Sequence, residues 1–115
     1  MTDVAHLNPG EKYYLNTMKD LKYDNIYIAS DQPQHRVVKI ITKWFPKATI
    51  LDFDEIKTFQ FGSTCKNILL SHGSFSAIIG YLAFFSNIYY SEYNKSKMWH
   101  GDMFSIDGWI ECKYL

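Results

Sequence analysis

The sequence predicts an α/β domain in which short parallel strands alternate with helices. Three observations predict it. Segments with apolar residues at helical spacing alternate with brief apolar runs along most of the 115 residues. Helices lying between strands imply crossover connections, and hence parallel pairing. The strand-like runs are uniformly apolar rather than alternating, as a sheet covered on both faces requires. A Rossmann-like, doubly wound, mostly parallel sheet follows, in a single domain over residues 1–115 whose pattern weakens from Ser91 onward.

Asn8-Pro9-Gly10-Glu11 opens a helix, with Asn8 as cap, Pro9 in the first position and Glu11 three residues after the cap. It should run to about Lys22 and bury Tyr14, Met18 and Leu21. Residues 25–30, NIYIAS, read as a buried strand. A helix from about Pro33 to Phe45 presents Val37, Val38, Ile40, Ile41 and Trp44 inward and Arg36, Lys39 and Lys43 outward, and Pro46 ends it. Residues 48–51 form a second strand. Asp52 or Asp54 caps a short helix through Phe61 that Gly62 stops. Residues 67–71 form a third strand, and residues 74–85 a strongly apolar helix expected to be buried on more than one face. Residues 87–90, NIYY, form a fourth strand.

Composition narrows the function classes. Apolar residues make up 47% and aromatic residues 17%, with charged residues at 21%, which describes a folded chain rather than a disordered one. The formal net charge is zero, which argues against nucleic acid as a partner, since neutralising phosphates takes a basic excess. The N-terminus has neither the cationic start nor the apolar stretch of a signal peptide. The most apolar window, residues 75–90, is broken by Ser76, Gly80, Ser86 and Asn87, so no membrane span is expected. The two cysteines, Cys65 and Cys112, have no metal-ligand spacing. They suit a reduced, cytoplasmic protein, with a single disulfide as the alternative.

In doubly wound sheets, ligands bind beyond the carboxyl ends of the strands. Two polar clusters fall there: Ser30-Asp31 after the first strand, and Ser71-His72-Gly73-Ser74 after the third. The second also opens a helix, whose free N–H groups and dipole favour an anion. Ser74 and Ser76 add hydroxyl donors, Gly73 allows close approach, and His72 and Arg36 are candidate phosphate partners. The same residues also make an ordinary capped turn, with Ser74 as cap and Gly73 as its pivot. Neither a P-loop nor a GxGxxG fingerprint is present.

Three stretches, "YYLNTMKDL", "IASDQP" and "FGSTCKNILLSHGSFSAIIGYLAFFSNIYY", together resemble the C-terminal half of fucosyltransferase-like glycosyltransferases, the α-1,2-fucosyltransferase family and its relatives. The shared features are a paired-tyrosine helix, a strand followed by Ser-Asp, and a late motif with Ser74-Phe75-Ser76 at its core. Ala77-Ile78 stand where the family has paired tryptophans, and the family's N-terminal His-x-Arg-Arg-x-Asp motif has no counterpart here. The resemblance implies one lobe of a B-type glycosyltransferase fold that holds a nucleotide-sugar, GDP-fucose above all, without a metal. It implies that Ser74, Phe75 and Ser76 lie against the diphosphate and that Ser30 and Asp31 line the nucleotide side. A glycan acceptor and either a partner lobe or a second copy of the chain are the implied partners.

The residues leave two other readings open: a non-catalytic nucleotide- or phosphate-binding module, and a small hydrolase using Ser74 and His72. The hydrolase lacks the Gly-x-Ser-x-Gly elbow. Trp99-His100-Gly101-Asp102 offers two possible metal ligands without a third, which suits a structural loop better. Helix capping accounts for the acidic cluster Asp52, Asp54 and Glu55. The aromatics Tyr89, Tyr90, Tyr93 and Trp99 suit an exposed partner-covering surface, and core packing explains them just as well.

Overall fold

The structure is a computed structural model that describes residues 10–30, 34–71, 74–92 and 104–112, the side chains of Ser74 and Phe75 excepted. The elements follow in the order α1 (Glu11–Met18), β1 (Tyr27–Ile28), α2 (Arg36–Trp44), β2 (Thr49–Ile50), α3 (Glu55–Gly62), β3 (Asn67–Leu70), α4 (Ser74–Leu82), β4 (Asn87–Ser91) and β5 (Ile110–Cys112). The class is α/β, with all strand pairs parallel. The strands form two short sheets, β1-β2 and β3-β4-β5. The last strand has no counterpart in the sequence reading, because three residues after a Gly-Trp turn give no periodicity to detect.

Local chemistry explains most helix boundaries. Asn8 and Pro9 lie outside the described residues, and α1 begins at Glu11 with Gly10 in the capping position, at φ 81°, and no side-chain cap. The backbone angle, which glycine adopts readily, starts this helix. It ends at Met18 rather than near Lys22, where Leu21 N–H bonds the Met18 carbonyl at 3.2 Å, because the next turn is polar and exposed. His35 caps α2, its Nδ1 accepting from Val37 N–H at 3.1 Å. Asp54 rather than Asp52 caps α3, accepting from Lys57 N–H at 2.8 Å. Gly62 is the last residue of α3 and approaches α4 closely, since a Cβ there would stand 3.0 Å from Ile79 Cγ2.

Two apolar clusters make the core. Tyr13, Tyr14 and Met18 of α1 join Ile28 and α2's Val37, Val38 and Ile41, with Leu69 and Cys112 packed against them. Leu70, Ala77, Ala83, Ile88, Tyr90 and Phe104 form the second cluster, with Ile68 and Trp109 against it. Leu69 serves the first cluster while its neighbours Ile68 and Leu70 serve the second, so the pleat of β3 sends alternate side chains to opposite faces. Strand β3 is therefore covered on both sides.

Several expected burials are corrected by this packing. Trp44 is 69% exposed, because Phe45, one residue further, turns in against the first cluster instead. Helix α4 ends at Leu82 rather than Phe85 and is not buried on several faces. Ala77, Ile79 and Gly80 of the helix and Ala83 just after it turn inward, the small residues letting the helix sit close, while Ile78, Tyr81 and Leu82, with Phe84 and Phe85 beyond, are exposed. At Gly80 a Cβ would lie 2.7 Å from the Trp109 ring, so this close approach excludes any side chain without movement. Tyr90 is buried, packed on Phe104 at 6.0 Å, and Tyr89 is half-buried, so neither covers a partner surface as part of an exposed pair. Tyr93 and Trp99–Asp102 lie outside the described residues.

Candidate functional site

The chain leaves β3 at Leu70, passes Ser71 and enters α4 at Ser74. Ser71 and Ser76 face each other across that turn with their hydroxyls 2.6 Å apart, and Ser76 Oγ also accepts from Ser71 N–H at 3.3 Å. Two hydroxyls carry two protons. One proton lies in the bond between them, and the other has no acceptor among the described residues. The pair thus closes the turn and still holds a donor for a ligand.

Both serines line a cavity of about 680 Å3. Its walls come from α1 and the segment after it, from β1, from α3 and from β3, including residues 26–29 and 66–70. Most of the lining is apolar, with Ile28, Ile41, Leu51, Phe61 and Ile79 prominent, and its charged residues are Lys22, Asp24 and Lys66. A concave, largely apolar space of this size with a few polar groups has the character of a small-molecule site. No group of three or more His, Cys, Asp or Glu that could hold a metal ion occurs among the described residues.

The residues named from sequence are only partly brought together. Ser76 lines the cavity. Ser74 and Phe75 begin α4, so their backbone opens the helix at the same turn. Ser30 is half-buried, one residue beyond the lining residue Ala29. Arg36 does not reach the cavity: its guanidinium donates to Glu11 Oε1 at 3.2 Å, fastening the start of α2 to the start of α1. Asp31, His72 and Gly73 lie outside the described residues.

Tyr14 is a wall residue that sequence reasoning did not assign to the site, and Ser71 was placed there only as part of its turn cluster. The pairing of Ser71 with Ser76 depends on how the turn folds. Tyr14 reads from its spacing as core, which it also is. Burial pushes its phenol pKa up, as it does for Tyr13. Cys65, half-buried in the same wall, is a free thiol whose pKa burial also raises, and Cys112 is free as well.

No protein-family model matches the chain, and no curated protein or solved structure matches it either. No helix among the described residues is long and apolar enough to cross a membrane.

Proposed function

We propose that this chain is the nucleotide-sugar-binding domain of a fucosyltransferase-like glycosyltransferase, taking a GDP-linked donor for transfer to a glycan. In this reading β2-β1 and β3-β4-β5 are the two halves of one Rossmann-like, doubly wound sheet, and the cavity lies at the β1/β3 switch point where such sheets take ligands. The observation that carries the reading is the Ser71–Ser76 hydroxyl pair on the cavity wall, at the turn from β3 into α4. The resemblance of Ser74-Phe75-Ser76 to the family's late motif is what favours this ligand class.

The chemistry asked of these residues is modest. When the bond from the sugar carbon to the phosphate oxygen breaks, negative charge grows on the departing diphosphate. Helix N–H groups at the start of α4, together with the spare hydroxyl proton of Ser71 or Ser76, stabilise that charge without supplying a nucleophile. On the family analogy His72, Gly73, Ser30 and Asp31 complete the donor side, no metal is needed, and a partner lobe brings the acceptor. The proposal places the protein in the cytoplasm, where both thiols stay reduced.

Calorimetric titration of the chain with GDP, UDP and inorganic phosphate tests this. The wild type is expected to bind GDP, and a Ser71→Ala, Ser76→Ala variant to bind it at least about tenfold more weakly, the effect of one or two lost hydrogen bonds to a charged group. A folded chain that binds no nucleotide overturns the reading. Binding without sugar transfer, even with acceptor and GDP-fucose supplied, leaves a binding module in its place.

A further inference from the structure

Tyr14, a wall residue of the same cavity, has a buried hydroxyl with nothing to bond among the described residues. The residue is only 7% exposed. Its neighbour Tyr13 donates its hydroxyl to the Tyr89 carbonyl at 3.0 Å, whereas the Tyr14 hydroxyl has no hydrogen-bond partner among the described residues. A buried, unpaired hydroxyl has lost its hydration without compensation, so a ligand atom that reaches it gains that interaction in full.

The two strands flanking the cavity add to this. Among the described strands β1 is bonded only to β2 and β3 only to β4, so each has one unpaired edge, and residues of both strands line the cavity. An open strand edge offers N–H and C=O groups in the plane of its sheet. The remaining wall is mostly apolar, and Tyr27 and Phe61 stand in it edge to face, with ring centroids 4.8 Å apart. An acyl chain of the same volume would satisfy the apolar wall and leave the phenol and both edges unpaired. A flat ring with donors and acceptors on its rim satisfies all three.

We infer that the cavity between β1 and β3 holds a planar heteroaromatic ring whose rim hydrogen-bonds the Tyr14 hydroxyl. Resting on the function proposed above, that ring is the base of the nucleotide whose phosphates meet Ser71 and Ser76.

The test separates the base from the phosphates. Guanosine, uridine, GDP and pyrophosphate are titrated into the wild type, Tyr14→Phe, and the Ser71→Ala, Ser76→Ala variant, with binding followed by NMR shifts and folding checked by circular dichroism. Tyr14→Phe is expected to weaken guanosine and GDP about tenfold and leave pyrophosphate unchanged, while the serine variant does the reverse to pyrophosphate. Pyrophosphate binding with no nucleoside binding, or nucleoside affinity equal in wild type and Tyr14→Phe, overturns the cavity assignment and leaves the phosphate site standing. Nucleoside binding with GDP no tighter and no pyrophosphate binding supports the cavity assignment and removes the nucleotide-sugar reading. A wild type that binds none of the four overturns both.

Discussion

The two sheets come from the same parallel crossover unit, yet they differ in depth. In β3-β4-β5 four residue pairs align in one ladder and three in the next, and Leu70, Ile88, Tyr90 and Ser91 are buried. In β1-β2 only two pairs align, and of the four residues only Ile28 is buried. One half is a covered slab with Trp109 pressed against Gly80. The other is a ribbon resting on a single cluster. The cavity lies where they meet. That position teaches something about the division of labour: a binding wall needs one fixed side to define geometry and one side with ungrouped edges and few packing constraints to accept a guest.

Emptying each half in turn should produce the largest difference between them. Phe104 is completely buried in the second cluster, against Tyr90 and Trp109. Phe104→Ala should cost about 3–5 kcal/mol, the range for a buried aromatic lost from a close-packed site. Ile28→Ala, beside a cavity into which neighbours can relax, should cost near the lower end for its class, about 2 kcal/mol. Urea unfolding of both variants measures the difference. Equal losses would mean that the ribbon is as tightly built as the slab.

A smaller effect comes from the adjacent tyrosines, one tied to each side. The Tyr13 hydroxyl reaches across to the Tyr89 carbonyl of β4, while Tyr14 lines the cavity and its hydroxyl has no partner among the described residues. Tyr13→Phe should lower stability by about 0.5–1.5 kcal/mol, the net worth of a hydrogen bond. Tyr14→Phe should leave stability unchanged or raise it, since no bond is lost and no unpaired hydroxyl remains buried. Thermal unfolding of the ligand-free variants decides it. A loss at Tyr14 as large as at Tyr13 would show that its hydroxyl has a partner after all.

That pair also marks how far the sequence could be read. The alternation of elements, the parallel pairing and most of the buried stripes were available from spacing, because Val37, Val38, Ile41 and the Tyr14–Met18 turn bury what their periodicity says they should. The strand-to-helix turn at Ser71 was available too, since small polar residues between two apolar runs have few other uses. Trp44 and the outer face of α4 were misjudged because periodicity identifies apolar residues without saying which of them the neighbouring layer has room for. At α4 the small residues won that room, and at the end of α2 Phe45 did. Arg36 looked like an anion ligand from its place at a helix start, but Glu11, 25 residues earlier, neutralises it. The vacant phenol of Tyr14 was invisible, because a missing partner is a property of three-dimensional packing alone.

The smallest effect concerns that Glu11–Arg36 pair, which links α1 to α2 over the first cluster. Glu11 has its pKa lowered, first by its own backbone N–H at the helix start and then by the Arg36 guanidinium, against slight desolvation. A carboxyl depressed in the folded state stabilises the fold above its unfolded value, near 4.5, and that contribution disappears as the pH falls through the lowered folded value. Arg36 is 67% exposed, so water and salt screen the pair and its contribution stays below about 1 kcal/mol. Arg36→Gln should therefore leave stability nearly unchanged at neutral pH and slightly flatten its decline below pH 4.5. Urea midpoints from pH 6 down to pH 3, at low and at 0.5 M salt, measure both limbs on the scale set by the screening length, roughly 10 Å at 0.1 M. A loss rivalling that of Ile28→Ala would mean that surface charge, rather than the apolar cluster of Tyr13, Met18, Val37 and Ile41, holds the ribbon side of the molecule together.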